Sequence, residues 1–140
     1  MRRGAANGAV LASASCRGAQ VTPRRSAHVL VVEDEYLIAD ELCQTLARGG
    51  ATVVGPASTV AAALRLIGGD CIIDMGLLDI NLKGEMVFPV ADALAERGIP
   101  FAFVTGYGKA VVPSRFEHVP CWEKPVDFKR VESELGLQAA

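Results

Sequence analysis

The stretch "HVLVVEDEYLIADEL", residues 28–42, decides the fold. It opens on four consecutive apolar residues, Val29 to Val32, and runs straight into Glu33, Asp34 and Glu35. A short, unbroken, β-branched run predicts a strand covered on both faces, the habit of parallel sheets. After the acids the period changes. Leu37, Ile38, Leu42, Thr45 and Leu46 fall on one helical face, Arg48 sits in the last turn, and Gly49 and Gly50 stop the helix.

The same strand-then-helix unit repeats downstream. "ATVVG" reads as a second strand, and "STVAAALRLIGG" as a helix capped by Ser58 or Thr59 and closed by Gly68 and Gly69. "CIIDMGLLDI" is the third strand, and "GEMVFPVADALAERG" a helix whose first turns Pro89 weakens or bends. "IPFAFVTG" and "VPCWEKP" are the fourth and fifth strands, and "VDFKRVESELGL" the last helix, with Asp127 as its cap. Between strands four and five, Pro113 stands where a fourth helix would have its middle, so that element is expected to be short or irregular. Right-handed crossovers turn this order into a parallel α/β sheet between two helical layers.

Composition sets the limits. At 140 residues, 51% of them apolar and 21% charged, the chain is one domain's worth of globular sequence. No apolar run reaches the roughly 18 residues a membrane span needs, so no membrane partner is expected. Residues 1–26 hold five arginines and no acid, which leaves nine basic residues against sixteen acids in the rest, a net of −7. The acidic body disfavours nucleic-acid binding. The basic Ala/Arg/Ser-rich start, 1–26, reads as a disordered tail rather than a secretion signal, because Asn7 and Gly8 interrupt any hydrophobic centre. Cys16, Cys43, Cys71 and Cys121 form no CxxC pair and read as buried, reduced thiols.

In open parallel sheets, ligands bind beyond the carboxyl ends of the strands. That rule gathers Glu33 and Asp34 after strand one, Asp79 after strand three, Thr105 after strand four and Lys124 after strand five. Three carboxylates this close raise one another's proton affinity unless a cation intervenes. Mg²⁺ suits them, being hard, oxygen-seeking and content with a few protein oxygens plus water and phosphate. A carboxylate beside such an ion, a lysine and a hydroxyl is a phosphoryl acceptor; Lys124 absorbs charge and Thr105 hydrogen-bonds a phosphate oxygen. Glu35 reads as compensation of the helix dipole. Asp40, Asp70, Asp74 and Asp92 read as solvent-facing, His28 and His118 have no assigned role, and Trp122 reads as packing.

From His28 to Leu137 the chain resembles the receiver domains of bacterial two-component response regulators. The likeness rests on Glu33–Asp34, Asp79, Thr105–Gly106 and Lys124–Pro125 in that order. It implies a flavodoxin-like, doubly wound five-stranded sheet in strand order 2-1-3-4-5, with the receiver domain spanning 27–140. It also implies that Asp79 is phosphorylated and that Asp34, Glu33, Asp79 and the Asn81 main-chain carbonyl hold Mg²⁺. Thr105 then serves as the switch hydroxyl, Lys124 as the phosphoryl's counter-ion, and the Lys124–Pro125 bond is cis. "IPFAFVTGYG" is further similar to the FATGUY-type stand-alone receivers of alphaproteobacteria, with Val104 in place of the motif's alanine. Those pair with histidine kinases of the HWE or related type.

The implied function is a cytoplasmic single-domain response regulator. It would take a phosphoryl group from a histidine kinase and act through contact with a downstream protein. Such a module is no enzyme beyond its own phosphorylation and dephosphorylation. Receivers usually carry an aromatic residue three before the lysine. Cys121 stands there, leaving Tyr107, Phe116 or Trp122 as substitutes. Asn81 and Tyr107, two residues after Asp79 and Thr105, are candidate modifiers of phosphate lifetime. The alternatives are a small Mg²⁺-dependent phosphatase of the haloacid-dehalogenase type and an unphosphorylated receiver-shaped scaffold. The phosphatase wants an acid/base aspartate where Asn81 stands.

Overall fold

A computed structural model of the chain describes residues 26–106 and 112–126, together with Lys129. In chain order the elements are β1 (His28–Val32), α1 (Tyr36–Arg48), β2 (Thr52–Ala57), α2 (Val60–Gly68) and β3 (Met75–Asp79). A two-stranded hairpin, β4 (Asn81–Leu82) and β5 (Glu85–Met86), follows, then α3 (Phe88–Glu96) and β6 (Phe101–Thr105). A 3-10 turn, Ser114–Phe116, and β7 (Cys121–Glu123) complete the described elements. Five strands form one parallel sheet in the order β2-β1-β3-β6-β7, the flavodoxin-like arrangement expected.

Successive residues of each strand enter opposite layers, which is why the strands read as unbroken apolar runs. Leu30, Val32, Leu78, Phe101 and Phe103 pack with Ala63, Ile67, Val90 and Leu94 of α2 and α3. Val29, Val31, Leu77, Ala102, Val104 and Trp122 pack on the other face with Leu46 of α1. Each of these aliphatic side chains contributes roughly 1.5–3 kcal/mol by leaving water. Phe116 closes the first layer, making edge or stacked ring contacts with Phe88, Phe101 and Phe103 at 5.7–6.1 Å.

Local differences from expectation have local causes. The buried stripe of α1 is Ala39 and Leu46, with Leu42 and Cys43 beside it, while Leu37 is 79% exposed. Leu37 stands two residues before Ala39, about 200° away round the helix, so it faces solvent. The third helix begins at Phe88 because Gly84–Met86 belong to the hairpin, and Pro89 falls in the first turn, where it is tolerated. Thr59, not Ser58, caps α2 by accepting a bond from the Ala62 N–H at 3.1 Å. After Pro113 the described chain forms only a 3-10 turn, Ser114–Phe116, as short as expected; residues 107–111, the first part of that segment, lie outside the described residues.

Asp74 is no solvent-facing acid, and His28 has a partner. The Asp74 carboxylate accepts a bond from the His28 main-chain N–H at 2.7 Å and lies 3.3 Å from its Nδ1. Asp92 also has a role, forming a two-pronged pair with Arg115 at 2.9 Å on both arms. Cys71 and Cys121 are exposed rather than buried, and Cys43 is half-buried; all three are free thiols. The body is held from its first described residue, since the Ser26 hydroxyl donates to the Gly50 carbonyl at 2.6 Å. Residues 1–25, Tyr107 and Asp127, with most of the expected last helix, lie outside the described residues. No helix among the described residues is long and apolar enough to cross a membrane.

Candidate functional site

Sheet order brings the site together. β3 lies between β1 and β6, with Leu78 opposite Val32 and Asp79 opposite Val104. The residues that leave β1, Glu33 and Asp34, therefore meet Asp79 at the same rim. β7 aligns Glu123 with Thr105, and the Lys124 N–H donates to the Thr105 carbonyl at 2.9 Å, which aims the lysine back across β6. The Lys124–Pro125 bond is cis, as expected.

Glu33, Asp34 and Asp79 each offer a carboxylate oxygen within 4.8 Å of the others. Glu33 is 3% exposed and Asp79 8%, while Asp34 is half-buried. The Glu33 carboxylate accepts from the Glu35 N–H at 3.0 Å and from Lys124 Nζ at 2.6 Å. Lys124 Nζ lies 3.6 Å from Asp79 Oδ1. One ammonium thus faces three carboxylates.

The excess of negative charge falls on Asp79. Burial, then repulsion from Glu33, push its carboxyl from 3.8 up to about 7, against the pull of Lys124 and with Asp34 adding to the rise. Lys124 is itself lowered by burial, yet the Glu33 hydrogen bond and the Asp79 charge more than offset this and hold it above its ordinary value. The pair behaves as an electrostatic unit short of positive charge.

These residues fit a divalent cation. The donors are hard oxygens, three of them converge, and the metal-free nest binds a proton where a cation would serve. An open cleft of about 720 Å³ lies over them, lined by Asp34, Asp79, Asn81, Thr105 and Lys124 among others, with room for water and a phosphate. The Asn81 side-chain oxygen accepts from the Gly84 N–H at 2.6 Å, so it is occupied in the hairpin turn. The main-chain carbonyl is the group Asn81 has left to offer.

All six expected site residues are therefore at one rim, with Glu33 beneath Lys124 and the others on the cleft. Of the aromatic substitutes for Cys121, Phe116 and Trp122 are buried, in the two separate core layers, and neither lines the cleft. Lys83, also on the cleft wall, was not anticipated. Its signal was the Lys83–Gly84 pair two residues after Asn81: both adopt positive φ, 55° and 92°, as a tight two-residue hairpin turn demands.

No family model and no curated protein matches the chain. Solved structures do. SdrG from Sphingomonas melonis Fr1 is 44% identical over 80% of this chain and 95% of its own, with a TM-score of 0.68. The BeF3-activated conformation of SdrG, given as from Pseudomonas melonis Fr1, is 43% identical over 81% and 98%, with a TM-score of 0.64. A CheY-like response regulator receiver domain protein from Methanospirillum hungatei JF-1 shares the fold at 24% identity over 80% and 95%, with a TM-score of 0.67. The chain belongs to the CheY-like response regulator receiver domains.

Proposed function

We propose that the chain is a phospho-accepting signalling module in which Asp79 takes a phosphoryl group from a sensor histidine kinase. The observation that carries this reading is the half-neutralised nest: Asp79 at a strand end, two further acids within 4.8 Å, and Lys124 3.6 Å away. An Asp79 carboxylate oxygen attacks phosphorus, the P–N bond of the phosphohistidine breaks, and the imidazole keeps the electron pair. Asp34, Asp79, Glu33 and the Asn81 carbonyl would hold Mg²⁺. The ion, when bound, neutralises charge on the transferring group. Lys124 pairs with a phosphoryl oxygen, and the Thr105 hydroxyl donates to another.

Binding a phosphate adds acceptor oxygens and negative charge beside Thr105, enough to bias the adjoining chain and change the partners it meets. Output is by protein contact, in the cytoplasm. Asn81, standing where a phosphatase would keep its acid/base aspartate, argues against turnover of phosphate esters. The likeness to SdrG, which has a BeF3-activated conformation, supports reversible activation at this rim. We also favour membership of the FATGUY type on Phe103-Val104-Thr105-Gly106-Tyr107, and an HWE-type kinase as donor.

Amide NMR tests the reading. Beryllofluoride with Mg²⁺ should shift the resonances of Asp34, Asp79, Thr105 and Lys124 in the wild type and leave Asp79→Asn unmoved. Unchanged wild-type spectra at saturating beryllofluoride would reject it.

A further inference from the structure

Lys83 stands at the tip of the β4–β5 hairpin with φ 55°, the one non-glycine residue at positive φ among the described residues. Asn, Asp or Gly takes that conformation at less cost than lysine. The turn is braced from both sides. Asn81 Oδ1 accepts from the Gly84 N–H at 2.6 Å, and Glu85 Oε1 accepts from the Val60 N–H at the start of α2 at 3.3 Å. Leu82 and Val87 anchor the hairpin in the core at 4% and 0% exposure. The strained residue is thus held in place, and it lines the same cleft as Asp79.

The charges of the cleft are unequally committed. Lys124 is engaged with Glu33 at 2.6 Å. Lys83 is exposed and makes no hydrogen bond or ion pair with the described residues. A strained backbone kept at a binding rim, carrying a cation that no carboxylate of the described residues contacts, points to an anion that arrives from solution.

We propose that Lys83 is the donor-recognition residue of this site: its ammonium attracts and orients the anionic phosphodonor before transfer to Asp79. This rests on Asp79 being the phosphoryl acceptor. The matching ligand class is a phosphorylated small molecule or side chain carrying one to two negative charges. With acetyl phosphate, an Asp79 oxygen bonds to phosphorus, the bond from phosphorus to the acyl oxygen breaks, and acetate departs with the electron pair. Lys83 takes no proton and forms no bond in that step. Its effect is on encounter and orientation.

The test uses the full chain with Mg²⁺ and acetyl phosphate, comparing Lys83→Asn, Lys83→Arg and Lys83→Glu with the wild type. Asparagine suits the turn better than lysine, so Lys83→Asn should unfold at the same temperature or higher while losing the charge. Its initial labelling rate should fall roughly three- to sevenfold at low salt, the effect of losing one charge on the order of 7 Å through water from a donor of one to two charges. Lys83→Glu should be slower still, and Lys83→Arg should label at close to the wild-type rate. The gap should narrow as the screening length drops from about 30 Å at 0.01 M salt to about 8 Å at 0.15 M. Phosphoramidate, a donor of smaller charge, should show a smaller loss. Wild-type rates in Lys83→Asn, or an equal, salt-independent loss in Lys83→Asn and Lys83→Arg, would overturn the assignment and leave Asp79 as acceptor intact. A wild type that takes no label would remove the acceptor reading, and this one with it.

Discussion

Replacing Asp79 by asparagine should stabilise the metal-free protein above neutral pH. Burial, then Glu33, raise the folded-state carboxyl from 3.8 to about 7, whereas unfolding returns it to the ordinary carboxylate range. The folded chain therefore binds the proton more tightly than the unfolded chain. The stability this confers is fully present below about 3.8 and is lost as pH rises through about 7. Above that, the ionised carboxylate is a liability of up to about 4 kcal/mol, at about 1.4 kcal/mol per tenfold change in affinity. The cleft above the carboxylate is open to water, which screens the interaction, so about 1–2 kcal/mol is the working figure.

Urea unfolding with a chelator present reads this directly. Near pH 8.5, Asp79→Asn should exceed the wild type by about 1–2 kcal/mol, and near pH 5.5, midway through the window from 3.8 to about 7, by about half as much, with similar denaturant slopes. Saturating Mg²⁺ near pH 8.5 should reverse the order, because the wild type gains ligand-binding energy that the variant lacks. A variant less stable than the wild type near pH 8.5, or an equal gap at both pH values, would refute the electrostatic reasoning.

Two further substitutions probe the frame. Lys124→Ala leaves the Glu33 carboxylate, whose side chain is 2% exposed, without its cation. It should cost about 2–3 kcal/mol near pH 8, below the range for a fully buried pair because the lysine is 15% exposed, and Mg²⁺ should recover part of the loss in the same unfolding assay. Gly55 and Gly84 both have positive φ, 98° and 92°. A Cβ at Gly55 would meet the Ala57 nitrogen at 2.8 Å and the Val31 carbonyl at 3.1 Å, whereas one at Gly84 would meet nothing within 4 Å. Gly84→Ala should therefore cost about 1 kcal/mol from backbone strain alone. Gly55→Ala should cost at least about 2 kcal/mol more by thermal or urea unfolding, and equal losses would contradict the packing of β2 on β1.

The sheet was legible because each strand is apolar along its whole length, as Val29–Val32 and Phe101–Val104 show, and only a sheet covered on both sides needs that. The site was legible because its residues sit at strand ends, where chain position and place in the fold coincide. What escaped reading depends on partners far along the chain. His28 and Asp74 meet across 46 residues, and Asp92 and Arg115 across 23, with no local pattern to announce either. The hairpin was hidden because Gly84–Met86 extend the helical pattern of α3, while strands of two residues carry too little sequence to show a period of their own. Lys83 went unread for that reason: without the turn, nothing placed it at the rim.

The most direct test of the central claim is to find where the phosphoryl group goes. After incubation with acetyl phosphate, borohydride reduction of the acyl phosphate and peptide mass spectrometry locate the modified residue. Modification at Asp79 alone, abolished when Mg²⁺ is chelated, is the predicted result. Label on another residue, or label on Asp79 that persists without the ion, would contradict the account.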